Sequence, residues 1–469
     1  MKSESASPSP QVVPTNLGAS AAEAGVPERP SHRRAAMRGS LFEILGFGST
    51  QLVRLGGNLV LTRLLFPEAF GLVAIVTIVH SGLELLSDVG FNQSVIQNRR
   101  GDDPDFLDTA FSLQLMRGAL LSALAFALAY PVSLIYGEPM LFWLLAVSAV
   151  QPLIAGANST AIFLLRRRVE FGRLALLEIS SQLASVAVMI SWATLAPSVW
   201  ALIAGGFART LIRCAASHLL LRERRDRFRI EPSAREEILA YGRWILGSSA
   251  IFFVSRQADR VILGKLLGMS TLGVFSIAVM LAEVVELVMS RLATNVFFPI
   301  FSRIGREDIA RMRSFYYRAR LPLDAVFGTG MGLLFVLGST LVEVVWDERY
   351  AEAGWMFELL CVRVAMAIMV YPCDRALLAL GESAYPFYRS CVRALWILIT
   401  IPLGWYWDGT HGLVVAAALA ELPVFFVLWP EFRRHGMLRL DREVLAIGFF
   451  ALGYGLGRLL DPLIAGWLG

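Results

Sequence analysis

Residues 256–287 read RQADRVILGKLLGMSTLGVFSIAVMLAEVVEL, and residues 54–85 read RLGGNLVLTRLLFPEAFGLVAIVTIVHSGLEL. Aligned without a gap, the two stretches are identical at Arg54/Arg256, Leu61/Leu263, Leu64/Leu266, Leu65/Leu267, Gly71/Gly273, Ile75/Ile277, Glu84/Glu286 and Leu85/Leu287, while Arg63/Lys265 keeps its charge. Leucine matches arise easily in apolar sequence. Matched ionisable residues do not, because a charge inside a bilayer helix is costly and needs a partner or a cavity. Each copy reads as an apolar helix carrying an arginine, a short turn, and a second apolar helix carrying a glutamate. An internal repeat of this kind marks a duplicated architecture, here two similar halves facing each other across a polar site.

Composition supports a membrane setting. Of the 469 residues, 56% are hydrophobic, and the mean hydropathy is +0.59. Both exceed a soluble average and predict a polytopic membrane protein. The net charge of +5 comes almost wholly from arginine, since Lys2 and Lys265 are the only lysines. The arginines fall in short runs between apolar segments, as loop charges do, which speaks against nucleic acid as a partner. Cys214, Cys361, Cys373 and Cys391 lie in or beside apolar segments without CxxC spacing, so neither a disulfide framework nor a metal site is expected.

Residues 1–38 are rich in Ser, Pro, Ala and Glu, lack the apolar core of a signal peptide, and end in Arg33, Arg34 and Arg38. They read as a disordered cytoplasmic tail. Twelve apolar segments of bilayer-crossing length follow. Six lie within 39–221, from 41–64 to 198–221, and six within 238–436, from 240–266 to 411–430. A basic cytoplasmic linker, 222–237, joins the two sets and reads as a solvated hinge. An additional membrane segment, 437–469, either adds a thirteenth span or bends at Asp461-Pro462. Arginines gather at 99–100, 166–168, 222–229, 303–318 and 433–434, whereas the alternate loops near Pro67, Glu138, Pro197, Met269, Asp347 and Asp408 are nearly free of cations. The positive-inside rule then puts the amino terminus in the cytoplasm and gives the first and seventh spans one direction. The expected architecture is all-α: two six-helix bundles around a central cavity, related by a pseudo-two-fold axis along the membrane normal.

Polar residues recur inside the apolar segments. In the first span Gln51, Arg54, Asn58 and Thr62 share one helix face. The second span carries His80, Glu84, Ser87 and Asp88; the seventh Arg256, Asp259 and Arg260; the eighth Glu283, Glu286, Ser290 and Arg291. Arg117, Glu178, Arg209, Arg213, Asp324, Arg363, Asp374, Arg375 and Glu421 add to them. Such a distribution predicts one shared aqueous chamber. Two roles are open for the central arginines. Arg54 can pair with Glu84 or Asp88, and Arg256 with Asp259 or Glu286, simply holding helices together. Alternatively the two clamp an anionic head group between the halves, since a guanidinium offers a fork of donors that fits phosphate. His80 reads as a satisfied polar group or a proton relay. Arg209 and Arg213, one turn apart, lie within snorkelling reach of the cytoplasmic face. No GxxxxGK[ST], HExxH or GxSxG motif occurs, and the outer loops are short, which weighs against an enzyme.

The run DRVILGKLLG (259–268), followed by LGVFSIA (272–278) and FPIFSRI (298–304), resembles the bacterial oligosaccharide flippases of the multidrug/oligosaccharidyl-lipid/polysaccharide exporter superfamily. The stretches LLFPEAFG (64–71), SDVGFNQSVI (87–96) and WDERYA (346–351) resemble the colanic-acid/teichuronic-acid exporter-like branch. The resemblance runs from about residue 40 to 435 and identifies the fold better than the substrate. It implies alternating access to a cationic cavity and translocation of undecaprenyl-diphosphate-linked oligosaccharide repeat units for surface polysaccharide synthesis. It also implies an ion-gradient coupling, a bacterial inner-membrane location and no cofactor. Partners would be the lipid-linked substrate, membrane lipids, and a polymerase or chain-length regulator. Carried onto this chain, Arg54, Arg256, Arg260 and Arg117 are the candidate head-group ligands. Glu84, Asp88, Asp259, Glu283, Glu286 and Asp324 are the candidate coupling or gating residues. The alternatives are a cation-coupled multidrug exporter of the same superfamily and a polytopic glycosyltransferase or polymerase. The mixture of many arginines with the interior carboxylates disfavours the first, and the missing outer loop the second.

Overall fold

The computed structural model describes residues 30–87, 91–168, 170–219, 225–305 and 308–468; of the tail expected to be disordered, 1–29 lie outside the described residues, whereas 30–38 form the first turns of a helix instead. Regular structure among them is helical throughout. The amino-terminal half comprises α1 (Pro30–Leu64), α2 (Pro67–Leu86), α3 (Phe91–Gln97), α4 (Pro104–Tyr136), α5 (Pro139–Ser148), α6 (Val150–Gly156), α7 (Ala161–Arg167), α8 (Phe171–Leu195) and α9 (Trp200–Leu219). The carboxy-terminal half comprises α10 (Pro232–Leu292), α11 (Phe298–Ile304), α12 (Ile309–Leu323), α13 (Thr329–Val345), α14 (Ala353–Ala379), α15 (Tyr385–Ala418), α16 (Val424–Arg434) and α17 (Leu440–Leu468). Eight stretches among the described residues are long and apolar enough to cross a membrane. The chain is a multi-pass membrane protein.

Proline starts several helices where its missing N–H costs nothing, at Pro67, Pro104, Pro139 and Pro232. The two copies of the repeat fold alike but turn differently. In the first, α1 ends at Leu64 and Pro67 opens α2. In the second, α10 runs through the equivalent position and bends at Gly268, whose φ of 78° suits a residue without a Cβ. The apolar stretch around that bend, Ile251–Ile304, is 54 residues long. At 1.5 Å per residue this is roughly 80 Å of helix, enough for two crossings of a hydrocarbon layer about 30 Å thick.

Two expected spans are interrupted. The fourth is split into α5, α6 and α7, with Asn158, Ser159 and Thr160 in the last break. The twelfth breaks between α15 and α16 at Leu419–Pro423, around Glu421. Non-helical backbone at membrane depth is tolerated where protein or a cavity supplies hydrogen bonds. The carboxy-terminal segment, by contrast, does not break at Asp461-Pro462, and α17 continues to Leu468. It packs on α13 through glycines: a Cβ on Gly332 would meet the Phe450 carbonyl oxygen at 2.0 Å, and one on Gly453 that of Thr329 at 2.0 Å. A buried clasp completes the junction. Arg320 holds both Glu443 oxygens, at 2.9 and 2.8 Å, together with Asp324 at 2.8 Å and the Tyr316 hydroxyl at 2.9 Å.

The described part of the linker, from residue 225, is largely exposed, as expected, but it is strapped down rather than free to hinge. Its backbone N–H groups bond to side chains in the first turns of α4. Arg227 donates to Asp108 at 3.0 Å, Arg229 to Ser112 at 2.8 Å, and Glu231 to Thr109 at 2.9 Å. Arg100 then ties Asp103 to Glu231, at 2.8 and 2.6 Å. Ala234 and Ile238 follow, fully buried against Phe91, Val95, Phe106 and Leu107. The start of α10 is thus packed into the amino-terminal half, although its centre contacts α14 and α15.

Candidate functional site

The centre of α10 carries a charge cluster that α14 completes. Arg256 Nη1 bonds Glu286 Oε1 at 2.7 Å, and the Tyr371 hydroxyl donates to the same oxygen at 2.7 Å. From α14, Arg363 reaches Asp259 and Glu286, each at 3.7 Å. Arg260 pairs with Glu283 and donates to Gln257 at 3.3 Å. Arg363, Asp259 and Glu286 are buried. The interior charge continues through Arg393–Glu421 and Arg389–Asp374, both at 2.8 Å. Of the partners sequence offered Arg256, the geometry selects Glu286. Arg363 was visible as an arginine within a span, but its bridging role was not. Tyr371 gave no signal at all, being one aromatic among many.

The amino-terminal half is organised otherwise. Among the described residues Arg54 makes no hydrogen bond or ion pair, and its Nε is buried without a partner. It feels Glu283, Arg209 and Arg260 electrostatically. Gln51, Glu178, Arg209, Arg291 and Arg166 line a cavity of about 530 Å³, and Arg54 is not among its lining residues. Arg166 also borders a second cavity, of about 580 Å³, with Glu84, Arg117, Arg213 and Gln257. Arg117 is held by Ser87 Oγ at 3.0 Å and the Glu84 carbonyl at 2.6 Å. Arg209 lines the first cavity and Arg213 the second, and the two share Glu178, at 3.8 and 3.0 Å. In each cavity wall the arginines outnumber the carboxylates three to one. His80 is a satisfied polar group, with Nε2 2.9 Å from Ser148 Oγ. Asp324 sits apart, in the Arg320 clasp against α17. Asp88 lies outside the described residues.

The face with few arginines is sealed by reciprocal contacts between the halves. A Cβ on Gly71 would fall 1.9 Å from the Met269 carbonyl oxygen, and one on Gly273 1.9 Å from that of Pro67. Pro67 and Met269 are themselves equivalent positions of the repeat, so each half offers the other the same glycine and the same carbonyl. A second reciprocity flanks it. The Tyr136 hydroxyl bonds the Val261 carbonyl at 3.1 Å, and Lys265 bonds that of Ile135. On the other side the Tyr350 hydroxyl bonds the Leu65 carbonyl at 3.0 Å, and Arg349 that of Arg63 at 3.0 Å. Arg349 also hydrogen-bonds Asp347 and holds its carboxyl below the ordinary range.

Residues 60–354 match the polysaccharide biosynthesis protein family. The chain is 25% identical to the succinoglycan biosynthesis transport protein ExoT of Rhizobium meliloti, over 72% of this chain and 67% of that one. Its fold is similar to that of a multidrug resistance MATE family transporter of the MOP superfamily in an inward-facing conformation. The TM-score is 0.67 at 13% identity, covering 83% of this chain and 95% of the other. It is also similar to the lipid II flippase MurJ in an inward closed conformation, with a TM-score of 0.59 at 11% identity, covering 92% and 99%. With the family match extending over more than half of its residues, the chain belongs to the polysaccharide biosynthesis protein family.

Proposed function

We propose that the protein is a flippase that carries lipid-linked oligosaccharide repeat units across the bacterial inner membrane, with its amino terminus in the cytoplasm. The observation that carries this reading is the excess of arginine in the walls of the two cavities. A cavity wall rich in arginine suits a diphosphate head group, whereas a cationic drug would be repelled from it. Forked guanidinium donors match phosphate oxygens. Arg54 lines neither cavity, but it is a candidate ligand because no hydrogen bond or ion pair among the described residues holds it.

Arg256 and Arg260 enter this mechanism differently from Arg54. They are held by Glu286 and Glu283, so a phosphate competes with a carboxylate for them. A displaced carboxylate in a buried site is costly unless it gains a proton or another cation. Glu283, Glu286 and Asp259 are therefore the groups through which an ion gradient would act, by favouring one state of the carrier over another. Glu84 and Arg117 would follow movement of the carboxyl end of α2. Asp324 has a different part in this reading, fastening α17. The reciprocal contacts at Gly71 and Gly273 support two halves, 39–221 and 238–436, that close against each other on the outer face. The relatives' names support polysaccharide export, and a polymerase or chain-length regulator would take over the product.

The test is a deletion strain whose lipid extract is analysed for diphosphate-linked oligosaccharides. Complete repeat units should accumulate while surface polymer disappears. Shortened repeat units would indicate an enzyme instead, and unchanged lipids with altered drug sensitivity a multidrug exporter.

A further inference from the structure

A third pocket, outside the two cavities described above, collects arginines from α12 and from the start of α17. Arg313 and Arg318 of α12 meet Arg439 and Arg442 at the start of α17 around a cavity of about 330 Å³. Tyr317 forms its floor. Its hydroxyl accepts from the Arg439 N–H at 2.9 Å and donates to Glu443 at 3.1 Å, so the pocket rests on the buried Arg320 clasp. Arg313 is fixed by the Gly436 carbonyl at 2.8 Å.

The charges do not balance. One carboxylate, Asp441, serves both Arg439 at 3.1 Å and Arg442 at 3.6 Å. The Arg442 Nε has no hydrogen-bond partner. Arg318 makes no ion pair or hydrogen bond among the described residues. Arginines placed only to set topology have no need to converge from distant parts of the chain. Four guanidinium groups against one carboxylate leave an anion site with forked donors.

The surroundings identify the anion. The stretches Ile309–Val345 and Leu440–Ile464, each long and apolar enough to cross a membrane, both begin here. At about 1.5 Å per residue the first outspans a hydrocarbon layer about 30 Å thick, which leaves its arginine-bearing first turns to the head-group zone. Leu321, Leu440 and Val444 are exposed beside it at 37, 59 and 66%, offering apolar surface in line with acyl chains. We infer that this pocket binds the phosphodiester head group of an anionic phospholipid, which bridges α12 to α17. Basic pockets between membrane helices bind such head groups through these same interactions.

The test uses the full-length protein, delipidated in neutral detergent and titrated with short-chain phosphatidylglycerol or phosphatidylcholine by native mass spectrometry. Phosphatidylglycerol should bind more tightly than phosphatidylcholine. At about 1 kcal/mol per arginine near a membrane surface, each lost pocket arginine should weaken it about fivefold. Arg318→Ala with Arg442→Ala should therefore weaken binding roughly 25-fold. Arg303→Ala, outside the pocket, should leave it within about twofold. If the double variant does not fold, Arg318→Gln alone should still cost about fivefold. Equal binding of the two lipids, or equal effects of pocket and control variants, would overturn the proposal. So would displacement by an equal concentration of inorganic phosphate, which would make this a site for free anions.

Discussion

Replacing Gly71 or Gly273 by alanine tests whether the paired glycines close the outer face. The added Cβ would lie 1.9 Å from a carbonyl oxygen of the opposite half, whereas real Cβ contacts essentially never fall under 3.0 Å. The shortfall is about 1.1 Å, the difference between those two distances. The obstructing atoms are backbone, so no rotamer change relieves them, and α2 must retreat from α10. Overpacking of this kind costs about 1–3 kcal/mol, equivalent to a shift of roughly 5- to 150-fold from the closed toward the open arrangement. A cysteine introduced at Leu65, 1% exposed and adjacent to the seal, reports the change. Its labelling by a membrane-impermeant maleimide, followed by peptide mass spectrometry, should accelerate by that factor in either variant. Gly330→Ala is the control, because a Cβ there meets nothing within 4 Å. Labelling unchanged in both Gly71→Ala and Gly273→Ala, at normal protein abundance, would refute the closure argument.

Other expectations follow from the buried charges. Glu443→Ala leaves Arg320, 1% exposed, without its bidentate partner. It should cost about 3–5 kcal/mol in thermal unfolding measured in detergent, while Arg320→Leu combined with Glu443→Leu should recover most of the loss. Arg54→Ala and Arg256→Ala should each abolish export at normal abundance, assayed as surface polymer. Arg54→Lys should restore only part, because an ammonium lacks the planar fork. Loss of the protein itself in Arg256→Ala would favour helix pairing over head-group binding for that residue.

Much of the helical order was legible because hydropathy reports burial in a bilayer directly, and the repeat announced that two stretches share one task. What it could not announce was why Gly71 and Gly273 match. Their contact is made by backbone, through the absence of a side chain, and leaves no hydrophobic period to detect. The linker misled for a related reason. Its arginines suggest solvent, yet the hydrogen bonds that fix it come from its own N–H groups, which look alike at every position. Asp108, Thr109 and Ser112 accept them and, read in sequence, are only the polar start of a long helix. The charged interior shows a different limit. That Arg54, Arg256 and Arg363 lie within apolar segments is plain from position. Which of them is already neutralised depends on packing: Glu286 meets Arg256 from 30 residues away within α10, and Arg363 meets Asp259 and Glu286 from α14. The consequence is functional, because two arginines at equivalent repeat positions are not equivalent ligands. Arg256 arrives bonded to Glu286, and Arg54 stands without such a bond among the described residues. A duplicated sequence can thus supply one half with an arginine that no carboxylate among the described residues holds and the other with one already paired.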